Sequence, residues 1–167
     1  MPPEFTRGRA GIRARLDREE SELFRRLLSE MRVLLTDESE PTDLIKGRLF
    51  PSAYEDPEEE RAYREMVRGD LERAKLDAVD VVVNTVSGRK AIDVEITTDQ
   101  VDSWLTVLTD MRLAIGTRLD VDEAKMSSEP SLEDPDAPAL AVMHWLGWMQ
   151  EMILEQLLTT ADNEGGA

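Results

Sequence analysis

The sequence predicts a mainly α fold: a compact helical bundle of four main helices with a small antiparallel β ribbon. Apolar residues recur every three or four positions over four long stretches, as expected for helices that bury one face. Short alternating segments occur near the N-terminus and at residues 91–96, and alternation is typical of half-buried strands. We therefore expect a single helical domain over residues 1–160, with an acidic mobile loop at 122–137 and a disordered tail at 161–167.

The N-terminal segment from Phe5 to Leu16 is predicted to form two short extended pieces around Gly8 and Gly11. In the second piece, apolar residues alternate with arginines, so one side faces a core and the other faces solvent. We expect this piece to pair with the strand at 91–96 and to complete the ribbon.

The first helix is predicted to follow directly. Asp17 can accept a hydrogen bond from a backbone N–H, and Glu20, three residues later, completes a capping-box pattern. Apolar residues then recur at helical spacing as far as Leu35. A polar break follows, and a short helical turn is expected near residues 43–48.

A second long helix is predicted to begin at Pro57, because proline suits the first helical position. Before it, Phe50 and Tyr54 are expected to pack as anchors on a loop. The apolar stripe runs from Tyr63 towards Val86. Its last turns are rich in β-branched residues and could form a strand, but the unbroken periodicity favours helix.

The third main helix is predicted from its N-terminal signals. Thr97 is a cap, Gln100 occupies the capping-box position, and Ile96 and Val101 are spaced as a hydrophobic staple. Apolar residues continue at helical spacing to Ile115. Residues 98–115 are therefore expected to bury one face.

The final helix is predicted over residues 138–158, and its apolar surface is unusually wide. At about 100° per residue, its large apolar residues spread over roughly 180°, whereas a surface helix needs little more than about 100°. These residues are Trp145, Leu146, Trp148, Met149, Met152, Ile153 and Leu157. Either this helix is central in the bundle, or part of it meets another chain. We expect a homodimer through this helix or the helix that begins at Thr98.

Composition limits the function classes. The 167 residues include 36 acidic and 20 basic residues, for a formal net charge of -16. This charge repels phosphate backbones, so direct binding of nucleic acid is not expected. A local exception could lie at the N-terminal arginines, although a solvated edge is favoured. These arginines are Arg7, Arg9, Arg13, Arg15 and Arg18.

The chain contains no cysteine. This fits a reducing cytoplasm and excludes disulfides and thiolate metal sites within the chain. No apolar run approaches the roughly 20 residues needed to span a bilayer, and the N-terminus lacks the apolar region of a secretory signal. We therefore expect a cytoplasmic protein that does not bind membranes.

The sequence offers no set of residues expected of an enzyme. His144 is the only histidine, and its helical neighbours provide no metal ligands. No phosphate-binding loop or nucleophile elbow occurs. We therefore predict no catalytic residues, no cofactor and no metal. A small hydrolase that uses carboxylates such as Asp110 or Glu95 is the weakest alternative.

Six residues are candidates for binding a protein partner. Asp110 and Arg112 lie on the polar shoulder of a helix whose other side is core, and Arg112 could bind a carboxylate of another helix or of a partner. The alternative is an exposed pair with little effect on stability. The other four candidates are aromatic: Phe50, Tyr54, Trp145 and Trp148.

Three stretches occur in order: RLFPSAYEDPEEERAYREMVRGDLERAKLDAV, WLTVLTDMRLAIGTRLDV and HWLGWMQEMILEQLL. Together they resemble the actinobacterial family of AosR-type oxidative-stress transcriptional regulators, formerly a domain of unknown function and often encoded beside the protease adaptor ClpS. The resemblance covers residues 5–158. It implies a mainly helical regulator that binds other proteins, such as a sigma factor or RNA polymerase.

The resemblance leads to two functional hypotheses. The first is a non-enzymatic, transcription-linked regulator of the oxidative-stress type that acts through protein–protein binding. The alternative is an accessory of Clp-type proteolysis that acts with ClpS. Because the chain has no cysteine, it cannot sense oxidants through a disulfide of its own.

Overall fold

The computed structural model describes residues 3–36, 43–119 and 133–165. Over these residues the protein is mainly helical with one small sheet, which confirms the predicted fold class. The strands are β1 (Glu4–Arg7), β2 (Gly11–Arg15) and β3 (Asp93–Thr97). The helices are α1 (Arg18–Thr36), α2 (Asp43–Leu49), α3 (Pro57–Tyr63), α4 (Gly69–Thr85), α5 (Thr98–Arg118) and α6 (Ala137–Gly165), and a π-helical turn (Arg64–Arg68) joins α3 to α4.

The three strands form an antiparallel sheet in the order β1-β2-β3. The predicted partnership holds, because Ile12 lies opposite Ile96 and Ala14 lies opposite Val94. These alternate residues face the core, as the sequence pattern indicates. The strands approach so closely at Gly11 that a Cβ atom there would lie 1.9 Å from the Ile96 carbonyl oxygen.

The core lies between the inner face of the sheet and the main helices. Phe24 of α1 stacks on Trp104 of α5, with ring centroids 5.5 Å apart. A buried hydroxyl fixes the sheet to α1, because the Ile92 N–H donates to Ser21 Oγ at 2.8 Å. In turn, Ser21 Oγ donates to the Asp17 carbonyl oxygen at 2.6 Å. The Ser21 hydroxyl therefore both accepts and donates a hydrogen bond, and it links α1 to the residue just before β3.

Both predicted capping boxes are present. The Glu20 N–H donates to Asp17 Oδ1 at 2.8 Å, and the Asp17 N–H donates to Glu20 Oε2 at 3.1 Å. At the start of α5, Thr97 and Gln100 form the same reciprocal arrangement. These local bonds satisfy N–H groups that have no partner inside the helix.

The long helix predicted from Pro57 is divided. A π-helical turn separates α3 from α4, and α3 buries none of its side chains. The predicted core face is therefore wrong near its start: Met66 is 78% exposed and Leu71 is 39% exposed. The side chains of this stretch are buried in the core only from Ala78 onwards. The β-branched end of the stretch is helical, as predicted, because Val79 and Val82 pack in the core.

Helix α6 begins at Ala137, close to the predicted start, and continues to Gly165, beyond the predicted end at residue 158. No proline interrupts this last stretch, so the helical backbone can continue. Residues 120–132, most of the predicted acidic loop, lie outside the described residues. Of the helices that are described, none combines the length and apolar character needed to cross a membrane.

Candidate functional site

Helix α6 uses one side for the core and leaves apolar side chains on the other. Leu146, Met149 and Ile153 are completely buried. In contrast, Trp148 is 36%, Leu154 is 46% and Leu158 is 68% exposed. These residues are six and four positions apart along the helix, and at about 100° per residue they lie within about 120° of its circumference. Helix α6 therefore contributes to the core and also exposes apolar side chains.

Two acidic residues lie within this apolar surface. Glu151 and Glu155 are exposed between Trp148 and Leu158, and neither forms an ion pair with another described residue. We call the group Trp148, Glu151, Leu154, Glu155 and Leu158 the α6 surface. Exposed apolar residues bordered by charge are typical of protein-binding sites.

The two tryptophan candidates have different environments. Trp145 is partly buried, and its ring meets Phe24 edge to face at 6.4 Å between centroids. Its indole Nε1 is buried and has no hydrogen-bond acceptor among the described residues. Trp145 is therefore a packing residue, whereas Trp148 is available on the surface.

Asp110 lies inside the molecule, where it pairs with a lysine that the sequence analysis did not select. Lys75 Nζ of α4 donates to both carboxylate oxygens of Asp110 at 2.9 Å. The Asp110 side chain is 8% exposed and that of Lys75 is 19% exposed. Burial raises the pKa of Asp110, and the Lys75 ammonium acts in the opposite direction. This pair joins α4 to α5 and is not available to a partner.

Phe50 packs beside the same ion pair. Its side chain is buried, and Lys75 Nζ lies 5.7 Å from its ring centroid. A cation at this distance from an aromatic ring is attracted by the ring quadrupole. Phe50 therefore anchors the chain after α2 to the α4–α5 pair, as the sequence analysis expected of an anchor.

Arg112 joins α5 to α6 and binds no carboxylate among the described residues. Its Nη1 donates to Gln150 Oε1 at 2.8 Å, and Gln150 Nε2 donates to Thr109 Oγ1 at 2.6 Å. The guanidinium lies against Gly147, where a Cβ atom would come within 3.1 Å of Arg112 Cζ. The missing side chain at Gly147 therefore provides the space that Arg112 occupies. Arg112 therefore helps to orient α6 against α5.

Tyr54 is 49% exposed and lies on the loop before α3. Its ring meets Tyr63 edge to face at 5.6 Å. The loop is fixed by Glu60, whose Oε2 accepts from the N–H groups of Ala53 and Tyr54 at 3.0 and 2.9 Å. These backbone bonds, with help from Arg64, lower the pKa of Glu60. Tyr54 is therefore exposed on a loop whose backbone Glu60 fixes.

The N-terminal arginines are largely neutralised where the structure shows their partners. Arg13 pairs with Asp93 at 2.9 Å, and Arg15 lies 3.7 Å from Glu4. Arg18 pairs with Glu22 in the next turn of α1. These contacts fit the solvated edge that the sequence analysis favoured.

The six predicted residues therefore do not form one site. The structure adds Lys75, Gln150, Leu154 and Leu158 to the residues that matter. Lys75 adjoins the apolar stripe of α4 in sequence, which was a usable signal for a partly buried charge. Leu154 and Leu158 belong to the predicted final helix but lie outside its predicted wide apolar arc.

Comparison with protein families gives one result. The chain matches the family described as "Domain of unknown function (DUF2017)" over residues 1–157. The match spans most of the chain, so the protein belongs to this family. Searches of curated proteins and of solved structures found no match.

Proposed function

We propose that this member of the DUF2017 family is a non-enzymatic, transcription-linked regulator of the AosR type, which binds a sigma factor or RNA polymerase through the α6 surface. The resemblance of the three quoted sequence stretches supports the regulatory class. The α6 surface supports binding as the mode of action. The proposal assigns the protein a cytoplasmic location, in keeping with that partner.

One observation contributes most to this proposal: α6 fills the core with one face and still exposes Trp148, Leu154 and Leu158. Apolar groups of this size are costly to hydrate, at about 25 cal/mol per Å². Tryptophan is also among the residues that contribute most energy to protein interfaces. A partner that covers these side chains would therefore gain a hydrophobic contact that includes Trp148.

The charge of the α6 surface favours a basic partner. Glu151 and Glu155 lie among the apolar residues, and the whole chain has a formal net charge of -16. A second copy would bring like charges together, whereas lysine or arginine around an apolar patch would complement them. We therefore favour a basic, apolar partner surface over the homodimer predicted from the sequence.

The test is an affinity pull-down from native cytoplasm with tagged wild type and with Leu158→Glu. Leu158 is 68% exposed, so its replacement leaves the core intact. Val33→Glu is the matched control, because Val33 is 62% exposed on α1 and lies outside the α6 surface. Captured proteins are identified by mass spectrometry, with and without peroxide.

The proposal predicts that wild type and Val33→Glu both recover a polymerase or sigma subunit, and that Leu158→Glu recovers at least about tenfold less. Equal recovery by all three proteins would contradict a role for the α6 surface. Recovery of Clp components instead would support the accessory role in ClpS-dependent proteolysis. A dimer in light scattering that Leu158→Glu abolishes would show that a second copy covers the surface.

A further inference from the structure

The hydrogen-bond pattern of the sheet determines which backbone groups of β3 point away from it. The Leu16 N–H donates to the Ile92 carbonyl at 2.9 Å, and the Gly8 N–H donates to the Gly11 carbonyl at 2.8 Å. In an antiparallel ladder, successive residues of a strand bond to opposite sides. With the observed register, the N–H and C=O groups of Asp93 and Glu95 therefore point to the outer edge of β3.

This outer edge is unpaired in the part of the chain that the structure describes. β3 is the last strand of the sheet, and the backbone groups of Asp93 and Glu95 make no hydrogen bond to any described residue. At the opposite edge of the sheet, α6 lies against β1. A row of free N–H and C=O groups is the structural requirement for addition of another strand.

A groove runs beside the free edge. Apolar side chains near the end of α4 and in and just before β3 form its floor. Positively charged side chains of α1 and of the turn before β3 line its side. The lining side chains that matter here are Arg25, Val86, Arg89, Lys90, Ile92 and Val94. Apolar side chains of an added strand would lie on the floor, since alternate residues of a strand face the same side.

The cations of the groove are free to meet an anion. Arg89 and Lys90 are exposed, and neither they nor Arg25 forms an ion pair with a described residue. Arg25 Nε donates to the Val86 carbonyl at 2.8 Å, which holds the guanidinium at the groove.

The nearest acids of β3 are already engaged. Asp93 pairs with Arg13 and lies 3.9 Å from Arg15, and Glu95 Oε1 accepts from the Ala10 N–H. The groove is consequently positive, although the chain as a whole is strongly acidic.

We propose that the outer edge of β3 binds an extended acidic peptide segment of a partner protein, which adds to the sheet as a fourth strand. Backbone hydrogen bonds to Asp93 and Glu95 hold the segment, and its carboxylates meet Arg89 and Lys90 in the turn before β3. Its apolar residues alternate with the acids and contact Val94. This site is separate from the α6 surface and does not depend on its function.

The probe is a fluorescein-labelled heptapeptide of alternating glutamate and valine, measured by fluorescence anisotropy with the full chain. The test variant is Arg89→Glu with Lys90→Glu. The control is Arg48→Glu with Arg61→Glu, which changes the net charge equally at exposed arginines that do not line the groove. A second peptide, N-methylated at every backbone amide nitrogen, has no N–H group to donate to β3 along either edge.

The proposal predicts binding that the test variant weakens at least about tenfold while the control retains most of it. Amide exchange measured by NMR should slow at Asp93 and Glu95 when the peptide binds. The N-methylated peptide should not bind. This combination separates strand addition from simple attraction between charges.

Several outcomes would overturn the proposal. They are no binding of the heptapeptide, unchanged exchange at Asp93 and Glu95, equal weakening by test and control variants, or equal binding of the N-methylated peptide. A dimer in sedimentation that the test variant abolishes would assign the edge to a second copy. Tighter binding of a single-stranded oligonucleotide than of the peptide would assign the groove to nucleic acid.

Discussion

At the scale of single residues, the molecule uses buried and surface carboxylates in opposite ways. Asp110 is buried with Lys75, and desolvation raises its pKa. Asp93 is exposed on the sheet, and the hydrogen bond from Arg13 lowers its pKa. Burial favours the neutral acid, whereas an adjacent cation favours the carboxylate. Asp110 therefore predicts the effect of removing a buried charge on stability, and Asp93 predicts how stability depends on pH.

Replacement of Asp110 tests the internal ion pair. Asp110→Asn leaves the Lys75 ammonium partly buried without a counter-charge, so we expect the free energy of unfolding to fall by about 3 kcal/mol. Urea denaturation at neutral pH measures this change. The matched control is Lys75→Met with Asp110→Leu, which removes both charges and should recover most of the loss. A double variant as unstable as the single one would contradict the account.

Asp93 predicts a specific dependence of stability on pH. Its pKa in the folded protein lies below the ordinary value of 3.8, so the folded state favours the carboxylate. Its stabilising contribution is therefore present above that value and is lost as the pH falls through the folded pKa. We expect the free energy of unfolding of wild type to exceed that of Asp93→Asn at about pH 6. The two values should converge at about pH 2. A constant difference over this range would refute the linkage.

At the scale of secondary structure, local signals were readable from the sequence and long-range ones were not. The capping boxes at Asp17 and Thr97 involve residues three apart, so their partners are visible in the sequence. The Lys75–Asp110 contact joins residues 35 apart, and no local pattern specifies it. The same limit explains the failure near Met66, because periodicity indicates which residues share a face but not what covers that face.

Replacement by alanine is expected to change stability in opposite directions at two glycines, one in the sheet and one in α2. Gly11→Ala would place Cβ against the Ile96 carbonyl oxygen, so the strands must separate. We expect this variant to lose about 2 kcal/mol of stability. Gly47→Ala is the control, since nothing lies within 4 Å of its added Cβ in α2. It should gain about 0.5–1 kcal/mol, because alanine favours helix. Equal effects in thermal unfolding would refute the close approach at Gly11.

At the scale of the whole molecule, the sequence predicts the helical bundle and its sheet. It does not predict which residues come together on the surface, because the six candidate residues lie in different environments. Three of the candidates pack inside the molecule, because tertiary contacts with Lys75 or Phe24 bury them. They are Phe50, Asp110 and Trp145. Trp148 remained exposed, since the core needs only one face of α6. Of the seven residues in the predicted wide arc only Trp148 is exposed, and the more exposed Leu154 and Leu158 lie outside it. Which part of the arc stays exposed depends on the neighbouring helices.

The most direct test of the central claim is site-specific photocrosslinking in native cytoplasm. A photoreactive amino acid is placed at position 148 on the α6 surface and, as a control, at the exposed position 33 on α1. The account predicts a crosslink from position 148 to a sigma factor or polymerase subunit and none from position 33. The same adducts from both positions, or crosslinks from position 148 only to a second copy of the chain, would contradict it.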